Sequence, residues 1–255
     1  MLEIRHVTHA FDSMTVLSDL SLPVPEGNFV CIVGPNGCGK TTLLRLIAGL
    51  ARPTQGEIVL NGQLIQEPGP DRGFVFQEYA LFPWRSVRKN IEFGLEMRGF
   101  APQERREIGD RYIDLVGLRG FEDCNIRQLS GGMKQKVSIA RVLANEPSVI
   151  LMDEPFAALD CQTRNAMQAE LLNVWEKERK TILFVTHSVE EAIFLADLVV
   201  VFSHRPGRLV ETIPVDLPRP RNRVGPELHR LRGYILDLLA AQMSDTELLK
   251  QMCNV

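Results

Sequence analysis

With 255 residues, 45% of them hydrophobic and 24% charged, the chain can bury a sizeable core as one large α/β unit or two small domains, which excludes disorder and fibrous architectures. Lys and Arg number 29 against 32 Asp and Glu, a formal net charge of -3, so no overall basic field exists to hold a nucleic-acid backbone and no nucleic-acid partner is expected. No run of about 18 apolar residues occurs, and the opening MLEIRHVTHAF carries charges and histidines where a signal peptide needs its apolar stretch, so neither a membrane span nor export is expected.

The first continuous apolar run, FVCIV at 29 to 33, reads as a strand buried on both faces. GPNGCGKTT follows it directly and the helical LLRLIAG comes next, which is a phosphate-binding loop in its required strand-loop-helix setting. Gly34, Pro35, Asn36, Gly37, Cys38 and Gly39 form a turn whose backbone N–H groups can surround phosphate oxygens. Lys40 is placed to reach the terminal phosphates and Thr41, followed by Thr42, to ligate Mg²⁺. Cys38 is expected to favour its thiolate here, near a helix N-terminus, and to be open to alkylation.

A second run, FVF at 74 to 76, is followed by Gln77 and the aromatic stretch EYALFPW, with Tyr79, Phe82 and Trp84. From about residue 86 to 145 the helical candidates SVRKNIEFGLEMRG and PQERREIGDRYIDLVGL succeed one another with no strand between, which reads as a helical insertion. LSGGM opens its last helix, whose core stripe is Met133, Val137, Ala140 and Ala144. Ser130, Gly131 and Gly132 offer a hydroxyl and bare backbone N–H groups at a helix start, a second place for phosphate, although in isolation Ser130 reads first as an ordinary N-cap.

VILM at 149 to 152 is the next buried strand and ends in Asp153 and Glu154. Beside a phosphate loop, Asp153 is suited to hold Mg²⁺ and Glu154 to polarise the water that attacks the γ-phosphate. Asp160 in AALD and His187 after the strand TILFV, like Gln77, stand where strands run out, the edge at which an α/β sheet forms its ligand crevice. LVVVF at 198 to 202 completes the strand set, and its alternation with helices predicts an α/β core with a parallel sheet.

Three prolines in ETIPVDLPRPRNR exclude a central strand or helix and predict a linker or edge-wrapping arm, with RPRNR as a solvated charge run. From Pro226 an amphipathic closing helix is expected, with Leu231, Ile235, Leu238 and Leu239 on one face. The five cysteines, Cys31, Cys38, Cys124, Cys161 and Cys253, show no metal-ligand spacing and are expected to be reduced thiols.

Taken together, GPNGCGKTT, Gln77, LSGGM, VILMDEP, AALD and His187 in this order resemble the ATP-binding subunit of ABC transporters over about residues 1 to 210. The resemblance implies a P-loop NTPase core of RecA-like α/β type with an antiparallel β portion, the helical subdomain inserted at about 86 to 145, and residues 211 to 255 as a C-terminal arm and helix. It implies ATP and Mg²⁺ as ligands, Phe11 as the aromatic that stacks on adenine, Thr41, Gln77 and Asp153 around the metal, and Glu154 with His187 in hydrolysis. It further implies two copies facing head to tail, each LSGGM with its Ser130, Gly131 and Gly132 serving the partner's nucleotide, with Asp160 also at the ATP site. A membrane permease would be driven by this sandwich, its cytoplasmic helix seated near EYALFPW, and an extracytoplasmic solute-binding protein would act indirectly.

Phe11, Cys38, Met133 and Lys134 depart mildly from the commonest pattern of that family, and none of them removes a phosphate or metal ligand. QEYALFPWRSVRKNIEFGLEMRG, the Met of LSGGM and RPGRLVETIPVDLPRPR look like the nitrate, sulfonate and taurine importer group of bacteria, which places the chain peripherally on the cytoplasmic face of the inner membrane. The alternative from the same family is a soluble ATPase such as an iron-sulfur assembly component, also a single short cassette.

Overall fold

The computed structural model describes residues 1–242; Cys253 and the end of the closing segment lie outside them. In chain order the elements are β1 (Leu2–Phe11), β2 (Met14–Val24), β3 (Phe29–Val33), α1 (Lys40–Ile47), β4 (Gln55–Leu60), β5 (Gln63–Leu64), β6 (Arg72–Val75), α2 (Val87–Ile91), α3 (Phe93–Met97) and α4 (Pro102–Leu115). A short 3-10 turn at Ile126–Gln128 precedes α5 (Gly131–Leu143), β7 (Val149–Asp153), α6 (Cys161–Glu178), β8 (Thr181–Val185), α7 (Val189–Leu195), β9 (Leu198–Phe202), β10 (Leu209–Pro214) and α8 (Pro226–Ala240). The chain divides into two compact units, one of residues 1–67 with 184 onward and one of residues 68–183.

In the first unit an antiparallel sheet runs in the order β2-β1-β4-β5. Its first strand carries no continuous apolar run: Leu2 and Ile4 are buried, the register with β2 then slips, and Val7 and His9 resume the buried face. His6, at φ 48°, accompanies that slip, and an extra residue of this kind re-phases the alternation by which a strand is read from sequence. The fully buried β3 pairs in parallel with β9, from Val30 opposite Leu198 to Val33 opposite Val201, as two-face burial requires. β10 then pairs antiparallel with β9 and carries the first of the arm's prolines, Pro214, at its end, the kind of strand position that tolerates a missing N–H.

The arm corrects the expectation of a solvated charge run. Arg221 is buried, and its Nη1 donates to the carbonyls of Ile193 (2.6 Å), Phe194 (3.2 Å) and Ala196 (2.6 Å) at the end of α7. Its Nη2 donates to Val215 (3.0 Å) and its Nε to Leu217 (3.2 Å), so one guanidinium satisfies carbonyls that a helix end leaves over. Burial pushes its pKa down to about 10. Arg219 pairs with Asp197 at 2.6 Å, and Asp197 in turn accepts from the Phe29 N–H at 2.9 Å. On α8, Ile235 is buried as expected, with Leu228 beside it, whereas Leu231, Leu238 and Leu239 are half-buried.

In the second unit β6 and β7 pair in parallel, from Arg72 opposite Val149 to Val75 opposite Met152. The stretch expected as one helix from Ser86 is two: Ser86 caps α2 by accepting from the Lys89 N–H, and Glu92 joins α2 to α3. Pro102 opens α4 at the first turn, where its missing N–H costs nothing. On α5 the expected stripe is buried at Val137, Ala140 and Ala144 and half-buried at Met133, with Gln135 and Ser138 buried as well.

Candidate nucleotide-binding site

The phosphate loop leaves β3 and enters α1 within the first unit. Gly39, the residue before the helix, has φ 104° and ψ 11°, a region that glycine occupies freely. A Cβ there would lie 2.7 Å from Leu17 Cδ2 and 3.0 Å from Val16 Cγ1, so β2 closes directly over the loop. At Gly34 a Cβ would meet that of Phe202 at 2.9 Å, which shows how tightly the loop rests on β9. Lys40 is buried and folds back over the loop, its Nζ donating to the carbonyls of Gly34 at 2.8 Å and Pro35 at 2.9 Å. Thr41 and Thr42 stand partly exposed on the first turn of α1.

Cys38 corrects the expected thiolate. Its side chain is 1% exposed, and burial raises its pKa from the ordinary value, a larger effect than the opposing one of the Lys40 ammonium, whose Nζ lies 3.9 Å from the sulfur. A helix N-terminus favours a thiolate only where solvent or a close cation also supports the charge; here desolvation wins. Among the described residues Cys31, Cys38, Cys124 and Cys161 are free thiols, as expected.

His187 lies in the same unit and is exposed, two residues beyond β8. Its neighbours are held firmly: the Thr186 N–H donates to the carbonyl of Ile32 on β3 at 3.2 Å, the Thr186 hydroxyl bonds the buried Glu191 carboxylate, and the Ser188 N–H donates to Thr186 Oγ1 at 3.0 Å. Ser188 Oγ in turn accepts from the Glu191 N–H at 3.3 Å and caps α7. His187 is therefore anchored through Thr186 to the strand that ends in the phosphate loop. Phe11 is 50% exposed at the turn between β1 and β2, its ring perpendicular to that of His9 at 4.7 Å.

The second unit holds the remaining candidates. Gln77 is exposed, two residues beyond β6. After it, Arg141 of α5 grips the chain, donating to the carbonyls of Ala80 at 2.7 Å and Tyr79 at 3.2 Å with its guanidinium over Phe82. The fully buried Asn90 accepts from the Phe82 N–H at 2.8 Å and donates to the carbonyls of Phe82, Arg85 and Ser86, which fixes the aromatic loop on α2. Phe82 packs on Phe93 at 4.5 Å between ring centroids, Trp84 remains 75% exposed, and Phe74, Phe76, Phe82, Phe93 and Arg141 line a groove of about 380 Å³. Neither Arg141 nor Asn90 is singled out by a sequence motif; only the packing shows that they shape this loop.

Ser130 caps α5 by accepting from the Met133 N–H at 3.3 Å, so the ordinary capping role is present whatever else the hydroxyl binds. A Cβ on Gly131 would stand 3.1 Å from the Tyr79 hydroxyl, and one on Gly132 would stand 3.0 Å from Thr163 Cγ2, so a side chain at either would crowd these neighbours. Asp153 closes β7, and Glu154 follows with φ 44°, a left-handed conformation that costs a residue with a side chain about 1 kcal/mol or more and that clusters at functional sites. Asp160 is exposed and caps α6 through the Thr163 N–H at 3.0 Å; its hydrogen bonds to Thr163 hold its pKa below the ordinary value.

The profile of the ABC transporter family matches residues 17–157. An uncharacterized ABC transporter ATP-binding protein of Methanocaldococcus jannaschii is 53% identical over 93% of this chain and 91% of its own length. The nitrate import ATP-binding protein NrtD of Synechocystis is 45% identical, covering 96% and 97%, and the taurine import ATP-binding protein TauB of Roseobacter denitrificans is 48% identical, covering 78% and 74%. Among solved structures, a dimeric ATP-binding cassette in a post-hydrolysis state with ADP and Pi superposes with a TM-score of 0.73 at 30% identity, over 86% of this chain and all of that one. With the family profile matched over residues 17–157 and relatives 45–53% identical over most of its length, the chain belongs to the ABC transporter family as an ATP-hydrolysing, ATP-binding subunit.

Proposed function

We propose that the chain is the energy-coupling subunit of an importer for a small solute of the nitrate or sulfonate and taurine kind. The observation that carries this reading is the phosphate loop, with Lys40 drawn over Gly34 and Pro35 on a backbone that only glycine fits at Gly39, in a chain whose relatives include NrtD and TauB. Two copies act head to tail beneath a membrane permease, at the cytoplasmic face of the plasma membrane, and an extracytoplasmic binding protein delivers the solute. Among the described residues no helix is long and apolar enough to cross a membrane, which suits peripheral attachment. The ATPase proper spans residues 1 to 210 with the helical segment at 86 to 145 inserted, and beyond it the described residues form an arm and the helix α8 (Pro226–Ala240).

By the family resemblance each candidate residue takes a role. Lys40 exchanges the carbonyls of Gly34 and Pro35 for terminal phosphate oxygens, and the loop from Gly34 to Thr42 supplies backbone N–H groups. Phe11 stacks on the adenine, and Ser130, Gly131 and Gly132 of the opposite copy close over the triphosphate, with Asp160 beside them. Glu154 accepts a proton from the attacking water and His187 steadies the γ-phosphate. Thr41, Gln77 and Asp153 offer hydroxyl, amide and carboxylate oxygens, a hard donor set that fits Mg²⁺. When bound, Mg²⁺ offsets the negative charge that develops on the phosphate oxygens.

The groove at Phe74, Phe82 and Phe93 receives the permease's cytoplasmic helix, with Trp84 on its exposed rim. The test is to tag the chain, solubilise its native membranes in mild detergent and identify what co-purifies by mass spectrometry. Recovery of a multi-span permease is expected, after which its binding protein is titrated with nitrate, sulfonates and taurine. Recovery of soluble partners alone would overturn the importer reading.

A further inference from the structure

His9 is a buried histidine with an unusual surrounding. It is 7% exposed, and neither Nδ1 nor Nε2 has a hydrogen-bond partner. Buried polar side-chain atoms are ordinarily paired, and an aliphatic residue would fill the same position on β1 at no such cost, so the imidazole calls for an explanation.

Its neighbours supply one. Two residues apart on β1, the His9 and Phe11 rings meet at 4.7 Å with an interplanar angle of 89°. Perpendicular contact of this kind is the favoured geometry for two aromatic rings, because the positive edge of one faces the negative face of the other. Across the hairpin His9 is the register partner of Leu17, and Leu17 with Val16 covers Gly39 of the phosphate loop. The imidazole thus stands between a half-exposed aromatic ring and the strand that rests on the loop.

We propose that His9 is a positioning residue for the nucleotide base: it holds the Phe11 ring at a fixed angle and distance from the phosphate loop. This rests on the reading of Phe11 as the adenine-stacking residue. An exposed phenylalanine next to an aliphatic side chain would sample several rotamers and lose that freedom only when ATP binds, whereas the perpendicular imidazole removes it beforehand. The consequence is specific to the base and leaves the phosphates alone.

The test compares two probes on the full chain by calorimetry with Mg²⁺ present: ATP, and inorganic tripolyphosphate, which carries the phosphates and no base. His9→Leu keeps the apolar volume and removes the ring edge; it is expected to weaken ATP binding on the order of 2- to 10-fold, the scale of one aromatic pair, while tripolyphosphate binds as before. His9→Phe restores the perpendicular pair and the ATP affinity. Equal weakening of both probes would make His9 a structural residue only and overturn the proposal, as would an unchanged ATP affinity in His9→Leu where Phe11→Ala loses affinity. Unchanged ATP affinity in Phe11→Ala would instead overturn the stacking reading itself. Should His9→Leu fail to fold, His9→Met carries the same comparison.

Discussion

The ammonium of Lys40 donates to the carbonyl oxygen of Gly34 at 2.8 Å, across the very loop that its own helix terminates. With Pro35 at 2.9 Å as the second acceptor, the cation is buried and held by uncharged oxygens, which a phosphate oxygen outbids by its full charge.

Lys40→Ala is therefore expected to weaken ATP binding by roughly 10- to 150-fold, the range of about 1.5–3 kcal/mol for a charge-assisted hydrogen bond. Calorimetric titration with MgATP measures it. Wild-type affinity in Lys40→Ala would remove the cation from the phosphate site.

Glu154→Gln preserves shape and hydrogen-bonding reach at a residue already held at φ 44° but removes the carboxylate proposed as the base. ATP binding is expected to persist while turnover falls on the order of 10²- to 10⁴-fold, the usual contribution of general base catalysis. Single-turnover release of phosphate separates the two, and unchanged turnover would assign the base elsewhere.

Gly39→Ala places a Cβ 2.7 Å from Leu17 Cδ2 at a φ of 104°. The strained conformation and the clash act together, so a loss of about 1–3 kcal/mol in urea unfolding is expected, with weaker ATP binding beside it. A variant as stable as the wild type would mean that β2 yields easily over the loop.

Cys38, desolvated and raised in pKa, holds less thiolate at any given pH than an exposed thiol does. Maleimide at neutral pH is expected to label the exposed Cys161 first and Cys38 slowly, with or without ATP, the Cys38 rate rising as pH increases toward its raised pKa. Peptide mapping of the labelled chain checks this; rapid modification of Cys38 at pH 7 would contradict its burial.

Arg221→Met keeps length and apolar volume but leaves the carbonyls of Ile193, Ala196 and Val215 without their donor. A loss of roughly 2–3 kcal/mol in stability is expected, and Arg221→Lys should recover only part of it because an ammonium cannot fork to five carbonyls. Equal stability of all three proteins would return the arm to the status of a surface charge run.

The motifs were legible because their spacing is local. Gly34 to Thr42 between a strand and a helix, Ser130 before α5, and Asp153 at the end of β7 each occupy the place that the pattern of residues implied. The strands β3, β7, β8 and β9 were legible for the same reason, since burial on both faces leaves an unbroken apolar run. β1 was not, because the slip at His6 breaks its alternation, and the division between α2 and α3 at Glu92 follows from packing where the sequence reads as one helix.

The sequence by itself determined the family, the phosphate loop and the order of the buried strands β3, β7, β8 and β9, each legible from neighbours within a few residues. Tertiary structure alone decided which charged and polar side chains leave water. Arg221 turned from an expected solvated charge into a buried clamp on α7, Cys38 from an expected thiolate into a buried thiol whose pKa is raised, and His9 into a buried imidazole set against Phe11. The physical reason is common to the three: desolvation depends on segments far apart in the chain, as when residue 221 meets residue 193, and no short window of sequence contains both.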